Sequence, residues 1–177
     1  EWIEDTDTRV KIASTVTDGG ILGGERDIRV DLISGPNGNR ISVLVDSSYN
    51  HSQDGGIRGT SQASWDGIDG NGLVVNPIGL GGIDLTGGGT QDALELLLDS
   101  ADLNSTLIFE VFTNAGNSSK FTLFLPGGAS STDHVIPYAS FVANLGSGAD
   151  FTNVGAITMK VDGSTVASLD VVLTLLQ

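Results

Sequence analysis

The stretch TLIFEVFTNAGNSSKFTLFL (Thr106–Leu125) decides the fold. Thr106–Thr113 and Lys120–Leu125 each read as a strand of alternating character, and Asn114–Ser119 between them is a chain of turn formers. The same pattern extends outward in both directions. Toward the C-terminus, His134–Tyr138, Ala156–Val161 and Ala167–Leu176 are strand-like, with Pro126–Ser131 as a turn. Toward the N-terminus, Val10, Ile12, Ser14 and Val16 alternate with Arg9, Lys11 and Thr15. Ile28, Val30 and Leu32 then face away from Arg29 and Asp31 in a strand over 26–33. Ser34–Asn39 predicts a turn, so that Ile41, Val43 and Val45 return as the second strand of a hairpin.

The region 46–72 is polar and glycine-rich, with one weak strand at Ile57–Trp65; short strand-like runs follow at Leu73–Val75 and Ile83–Leu85. Residues 91–98 (QDALELLL) fit a helical face as well as a strand, and the alternating surroundings favour the strand. Strands every 8–15 residues without a convincing helix predict an all-β protein, a two-sheet antiparallel β-sandwich of jelly-roll type. Residues 18–177 form its single domain. The acidic segment and first strand, 1–17, are a candidate for exchange between subunits, because an unpaired strand edge templates pairing.

Composition limits the function. The 177 residues include 25 glycines and no cysteine, which removes disulfides, thiolate metal sites and thiol catalysis. A net charge of −14 with only 8 Lys and Arg argues against nucleic acid and against an anionic membrane surface. No apolar run is long enough to span a bilayer as a helix. Seventeen of the 22 acidic residues are aspartates, which favour turns and supply the hard oxygens that Ca²⁺ takes. The chain opens at Glu1 rather than at a methionine, as expected of a secreted product after signal removal or of a segment boundary, and the expected location is extracellular or at the cell surface.

Four strings carry a family resemblance. DGGILGGERD (Asp18–Asp27) resembles the opening of the complex I intermediate-associated protein 30-like domains, which have a galactose-binding-like jelly roll. GLGGIDLTGGG (Gly79–Gly89), IPYASF (Ile136–Phe141) and ADFTNVGAITMKVDG (Ala149–Gly163) are similar to stretches of secreted bacterial surface proteins, cyanobacterial members included, that often carry PEP-CTERM sorting tails. The C-terminal Pro-Glu-Pro, hydrophobic helix and basic tail of that group have no counterpart here. The resemblance implies a fold more than a function.

Several side chains are candidates for chemistry. Asp66, Asp69 and Asn71 lie in the glycine-rich loop WDGIDGNG (Trp65–Gly72), where convergent oxygens could hold Ca²⁺, or where two Asp-Gly turns simply follow one another. From the resemblance to carbohydrate-binding jelly rolls, Asp170 on the last strand could share a structural Ca²⁺ with Glu25 or Asp27. Around these, Gly23–Asp27 reads either as a ligand rim or as an ion pair of Arg26 with a neighbouring carboxylate. Phe109, Phe112, Phe121 and Phe124 are expected in the core, leaving Trp2, Tyr49, Trp65 and Tyr138 as rings for a sugar, with Trp65 and Tyr49 foremost. Trp65 could equally cap the sandwich.

Catalysis has little support: His51 and His134 lie in no recognisable motif, and Glu95 with Glu110 would act only if neighbouring strands placed them in one cleft. The leading expectation is therefore a non-enzymatic structural subunit of a surface layer, matrix or filament, assembling with itself. The alternative is a non-catalytic carbohydrate-binding module whose partners are extracellular glycans.

Overall fold

Alternation places every second side chain of a strand on one face, and a two-layer sandwich follows when each sheet has one apolar face to bury. The computed structural model describes residues 1–7 and 11–176, with the side chains of 175 and 176 left aside. It contains β1 (Trp2–Asp5), β2 (Lys11–Thr17), β3 (Glu25–Ser34), β4 (Ile41–Val45), β5 (Tyr49–Gln53), β6 (Arg58–Trp65) and β7 (Ala93–Ala101). There follow β8 (Ser105–Asn114), β9 (Asn117–Leu125), β10 (Ala129–Pro137), β11 (Val142–Leu145), β12 (Ala156–Gly163) and β13 (Asp170–Leu176). They form a six-stranded sheet in the order β1-β4-β5-β13-β7-β10 and a seven-stranded sheet in the order β11-β9-β8-β12-β6-β3-β2. Strand pairs within both sheets are antiparallel. The fold is an antiparallel β-sandwich in which the chain crosses repeatedly from one layer to the other, as in a jelly roll. Among the described residues no helix is long and apolar enough to cross a membrane.

The core lies between the layers. Ile28, Val30, Leu107, Phe109, Met159 and Val161 of the larger sheet face Ile41, Val43, Leu96, Leu98, Val171 and Leu173 of the smaller one. Each buried side chain of this size contributes about 1.5–3 kcal/mol relative to exposure. A second apolar cluster of Leu80, Val111, Val154 and Ile157 closes one end beneath the long connection between β6 and β7. The expectation that four phenylalanines fill the core is half right. Positions three apart on a strand point to opposite faces, so Phe109 and Phe121 pack inward while Phe112 and Phe124 face out, Phe124 being 59% exposed.

Other expectations need correction. The strands over 26–33 and 41–45 exist but form no hairpin. Both edges of β3 are already paired, to β2 and to β6, so the chain crosses after Ser34 and β4 joins β1 and β5 in the opposite sheet. The runs at Leu73–Val75 and Ile83–Leu85 are turns, with a single bridge from Ile83 to Val154. Residues 93–101 are a strand, as the alternating surroundings favoured. β1, β5 and β11 were not anticipated. Of the first expected strand, Arg9 and Val10 lie outside the described residues. Within this chain the N-terminal segment pairs intramolecularly, β1 with β4 and β2 with β3.

Candidate functional site

The β3 alternation divides Glu25, Arg26 and Asp27 between two faces. Arg26 turns toward Glu1 and makes an ion pair of 3.2 Å. Glu25 and Asp27 turn the other way, onto the outer face of the seven-stranded sheet, where the loop after β6 folds over them. That loop is pinned by two glycines in mutual contact. A Cβ on Gly67, whose φ is 83°, would collide with the Gly79 carbonyl, and one on Gly79 would collide with the Asp66 carbonyl. Glu25 Oε1 accepts the N–H groups of Asp69 at 3.0 Å and Gly70 at 2.9 Å. Asp66 Oδ2 accepts the Asn76 N–H at 2.6 Å.

The result is a buried acidic cluster. Glu25, Asp27 and Asp66 are 2%, 2% and 1% exposed, whereas Asp69 opens to solvent. One carboxylate oxygen from each of Glu25, Asp27 and Asp69 lies within 4.8 Å of the others. Asp27 abuts Asp66, and apart from a proton shared within that pair no hydrogen-bond donor faces either oxygen of Asp27 or Oδ1 of Asp66. Burial, then the proton shared with Asp66, then the charges of Asp66, Glu25 and Asp69 push the Asp27 carboxyl up to about 8. Burial also raises Asp66, against the lowering effect of the Asn76 N–H.

The remaining predicted ligands stand apart from this cluster. Asn71 is exposed in the following turn, where its side chain accepts the Leu73 N–H. Asp170 is exposed on β13, in the other sheet, opposite Ser52, and its N–H donates to Asp102. Its expected pairing with Glu25 or Asp27 is corrected by that placement. Tyr49 is 4% exposed within the core and offers no ring to a ligand. The Trp65 ring is half-buried and packs against both apolar clusters, so it caps the sandwich. Tyr138 stacks on Phe151 at 4.5 Å and donates its hydroxyl to Leu85. Trp2 is 54% exposed, with the Arg40 guanidinium 5.9 Å from its ring centroid.

The carboxylate pair considered for catalysis is separated. Glu95 is exposed on β7 of the smaller sheet, and Glu110 lies on β8 of the larger one, bonded to Ser118, Asn144 and Lys120. His51 is buried between Ser61 at 2.7 Å and Gln53 at 3.1 Å. Because the Gln53 amide donates to Nε2, the neutral ring carries its hydrogen on Nδ1 and donates to Ser61. Burial lowers its pKa to about 3. His134 is half-buried on the edge strand β10.

Sequence reasoning missed the outer face of the seven-stranded sheet. Its register sets side chains in rows across six strands. One row runs Ala13, Arg29, Gln62, Lys160, Ile108, Thr122, and a parallel one runs Lys11, Asp31, Thr60, Asp162, Thr106, Phe124. The polar groups hold one another in place: Arg29 donates to Gln62 at 3.1 Å and to the Leu73 carbonyl, Gln62 donates to Ser64, and Lys160 stands 3.6 Å from Asp162. The loop after β6 walls one side, with Gly72 against Ala13 and Asp27. At the other side a depression of about 420 Å³ lies along the paired strands β9 and β11, lined by Lys120, Phe121, Thr122, Ser140 and Val142 among others.

No protein-family model matches this sequence, and no curated protein sequence matches it. Among solved structures, the chain is similar to a family 11 carbohydrate-binding module from Clostridium thermocellum in complex with a β-1,3-1,4-mixed-linked tetrasaccharide. That likeness has 15% identity and a TM-score of 0.42, over 93% of this chain and 85% of that one. It is also similar to the family 11 module of the cellulosomal cellulase Lic26A-Cel5E of Clostridium thermocellum, with 14% identity and a TM-score of 0.44, over 93% and 84% of the two chains. An arabinose-bound α-L-arabinofuranosidase matches 82% of this chain over 22% of its own length, with 16% identity and a TM-score of 0.38.

Proposed function

We propose that this chain is a non-catalytic carbohydrate-binding module of a secreted protein, and that it takes a neutral glycan across the outer face of the seven-stranded sheet. The observation that carries this reading is the ordered run of hydrogen-bonding side chains Arg29, Gln62, Lys160 and Asp162, which leads toward the depression along β9 and β11. Sugar hydroxyls are met by planar and charged groups whose positions are set in advance, which lowers the entropic cost of binding. Strands lie about 4.8 Å apart, close to the span of one pyranose unit, so a chain laid across them meets new polar groups at each step. With a net charge of −14 the protein repels acidic polysaccharides, which leaves neutral ones as the favoured class. Secretion and the galactose-binding-like relationship belong to this reading.

A glycan array of neutral and acidic polysaccharides tests it. Wild type is expected to retain at least one neutral glycan, and Gln62→Ala with Lys160→Ala to lose it while keeping the fold. Retention by the double variant, or no hit on the array, overturns the reading.

A homotypic assembly is a second proposal, favoured by two of the four edge strands, β10 and β11, on which Val135 and Val142 are exposed. Sedimentation at high protein concentration distinguishes it: a strictly monomeric protein rules it out.

A further inference from the structure

We infer that Glu25, Asp27 and Asp69 hold a divalent cation, Ca²⁺ by its chemistry, which fastens the loop after β6 to the start of β3. Asp66 abuts Asp27 beside the three ligands. Acidic groups near one another are ordinary on a protein of this composition, and here two observations go further. Two carboxylates, Asp27 and Asp66, are almost wholly removed from solvent, and three of their four oxygens face no donor apart from a proton shared within the pair. Burying a carboxylate without a partner is costly, so oxygens left this way in a packed region call for a cation or a proton. The second observation is spatial: the ligand oxygens of Glu25, Asp27 and Asp69 come within 4.8 Å of one another without any rearrangement. Two oxygens bound to one Ca²⁺ at about 2.3–2.6 Å can stand no more than about 5 Å apart, so each pair of the three is close enough to share one ion.

The donors are all oxygen, with no imidazole or thiolate among the three, which selects a hard cation and disfavours Zn²⁺ or Cu²⁺. Asp69 is exposed and gives the ion a way in. Glu25 is oriented beforehand, because one of its oxygens already receives the Asp69 and Gly70 N–H groups and ties the loop to the strand. The ion thus joins two segments far apart in sequence: the start of β3 and the turn at 69–70. This site differs from the ligand sets that the sequence suggested, since Asn71 and Asp170 lie outside it and Asp27 lies at its centre. The inference is independent of the glycan reading and survives its failure.

The test uses the full chain, stripped with chelator and dialysed, and titrated with CaCl₂ in a calorimeter. One Ca²⁺ per chain is expected. Asp27→Asn and Asp69→Asn should each weaken binding at least tenfold, and Asp170→Asn should leave it unchanged. Asp69 is exposed, so its variant folds whether or not the interior tolerates change at Asp27. Terbium provides a second reading: Trp65 precedes Asp66 in the chain, so bound Tb³⁺ should emit on indole excitation, lose that emission in Trp65→Phe and release it to excess Ca²⁺. No saturable binding at millimolar Ca²⁺, undiminished binding by both Asp27→Asn and Asp69→Asn, or binding lost in Asp170→Asn instead, would overturn the assignment.

Discussion

Replacing Asp27 by Asn tests the acidic cluster in the metal-free protein through the pH dependence of stability. Asp27 is held at about 8 in the folded chain against an ordinary 3.8. The folded state therefore carries a proton that the unfolded state lacks, and stability is lost as pH rises through that window, at about 1.4 kcal/mol per pH unit. His51 acts with the opposite sign. Its pKa falls from 6.5 to about 3, so its contribution is full above 6.5 and is lost as pH falls. Between pH 4 and 6.5 the two slopes oppose each other; above 6.5 His51 no longer contributes and the buried acids, Asp27 foremost, set the slope. From pH 6.5 to 8 the loss comes to about 2 kcal/mol, which for a domain of this size lowers Tm by roughly 4–8 °C. Asp27→Asn removes the titrating group and keeps its shape, and its amide can donate to the open Asp66 oxygen. Thermal unfolding in chelator at pH 6.5 and 8 is the assay. The wild type should lose this stability and the variant should hold its Tm. Equal losses in the two proteins would refute the reasoning.

In the Asp27→Asn background the His51 contribution is no longer offset, so lowering pH from 6.5 to 5 should cost about 2 kcal/mol, measured by urea unfolding. Phe109→Ala should destabilise by about 3–5 kcal/mol, and Phe124→Ser should stay within about 0.5 kcal/mol, because only the first ring is in the core. Gly79→Ala forces a methyl group onto the Asp66 carbonyl and should cost about 1–3 kcal/mol, with faster proteolysis of the loop after β6 as the local readout.

The class of fold was legible because alternation reports directly which face of a strand is buried. Thr106–Leu125 and Ala156–Val161 reveal β8, β9 and β12 in this way. Alternation says nothing about which strand is the partner. For that reason the two strands around Ser34–Asn39 read as a hairpin, although they belong to opposite sheets. β5 was hidden for a different reason. Its inward positions are Tyr49, His51 and Gln53, polar or amphipathic groups, the last two held in the core by their own hydrogen bonds, and they leave no apolar stripe in the sequence. β11 is exposed throughout and is a strand only because it lines the edge of β9.

The candidate sites divide along the same line. Glu25, Asp66 and Asp69 were visible as acids beside glycines. Asp27 was visible as a partner for Asp170 and as part of the Gly23–Asp27 rim, and its place at the centre depends on the pairing of β3 with β6, which sets it opposite Ser64. Asp170 was misplaced because the last strand belongs to the other layer. The polar rows of the outer face were invisible, since they exist only when six strands from distant parts of the chain stand in register.

The central claim, a glycan bound across those rows, is tested most directly by affinity electrophoresis through gels of neutral polysaccharides. The account predicts that wild-type protein and Tyr49→Phe are retarded alike on at least one of them, while Gln62→Ala with Lys160→Ala runs free. Equal retardation of the double variant, or free migration of wild type on every gel, would contradict it.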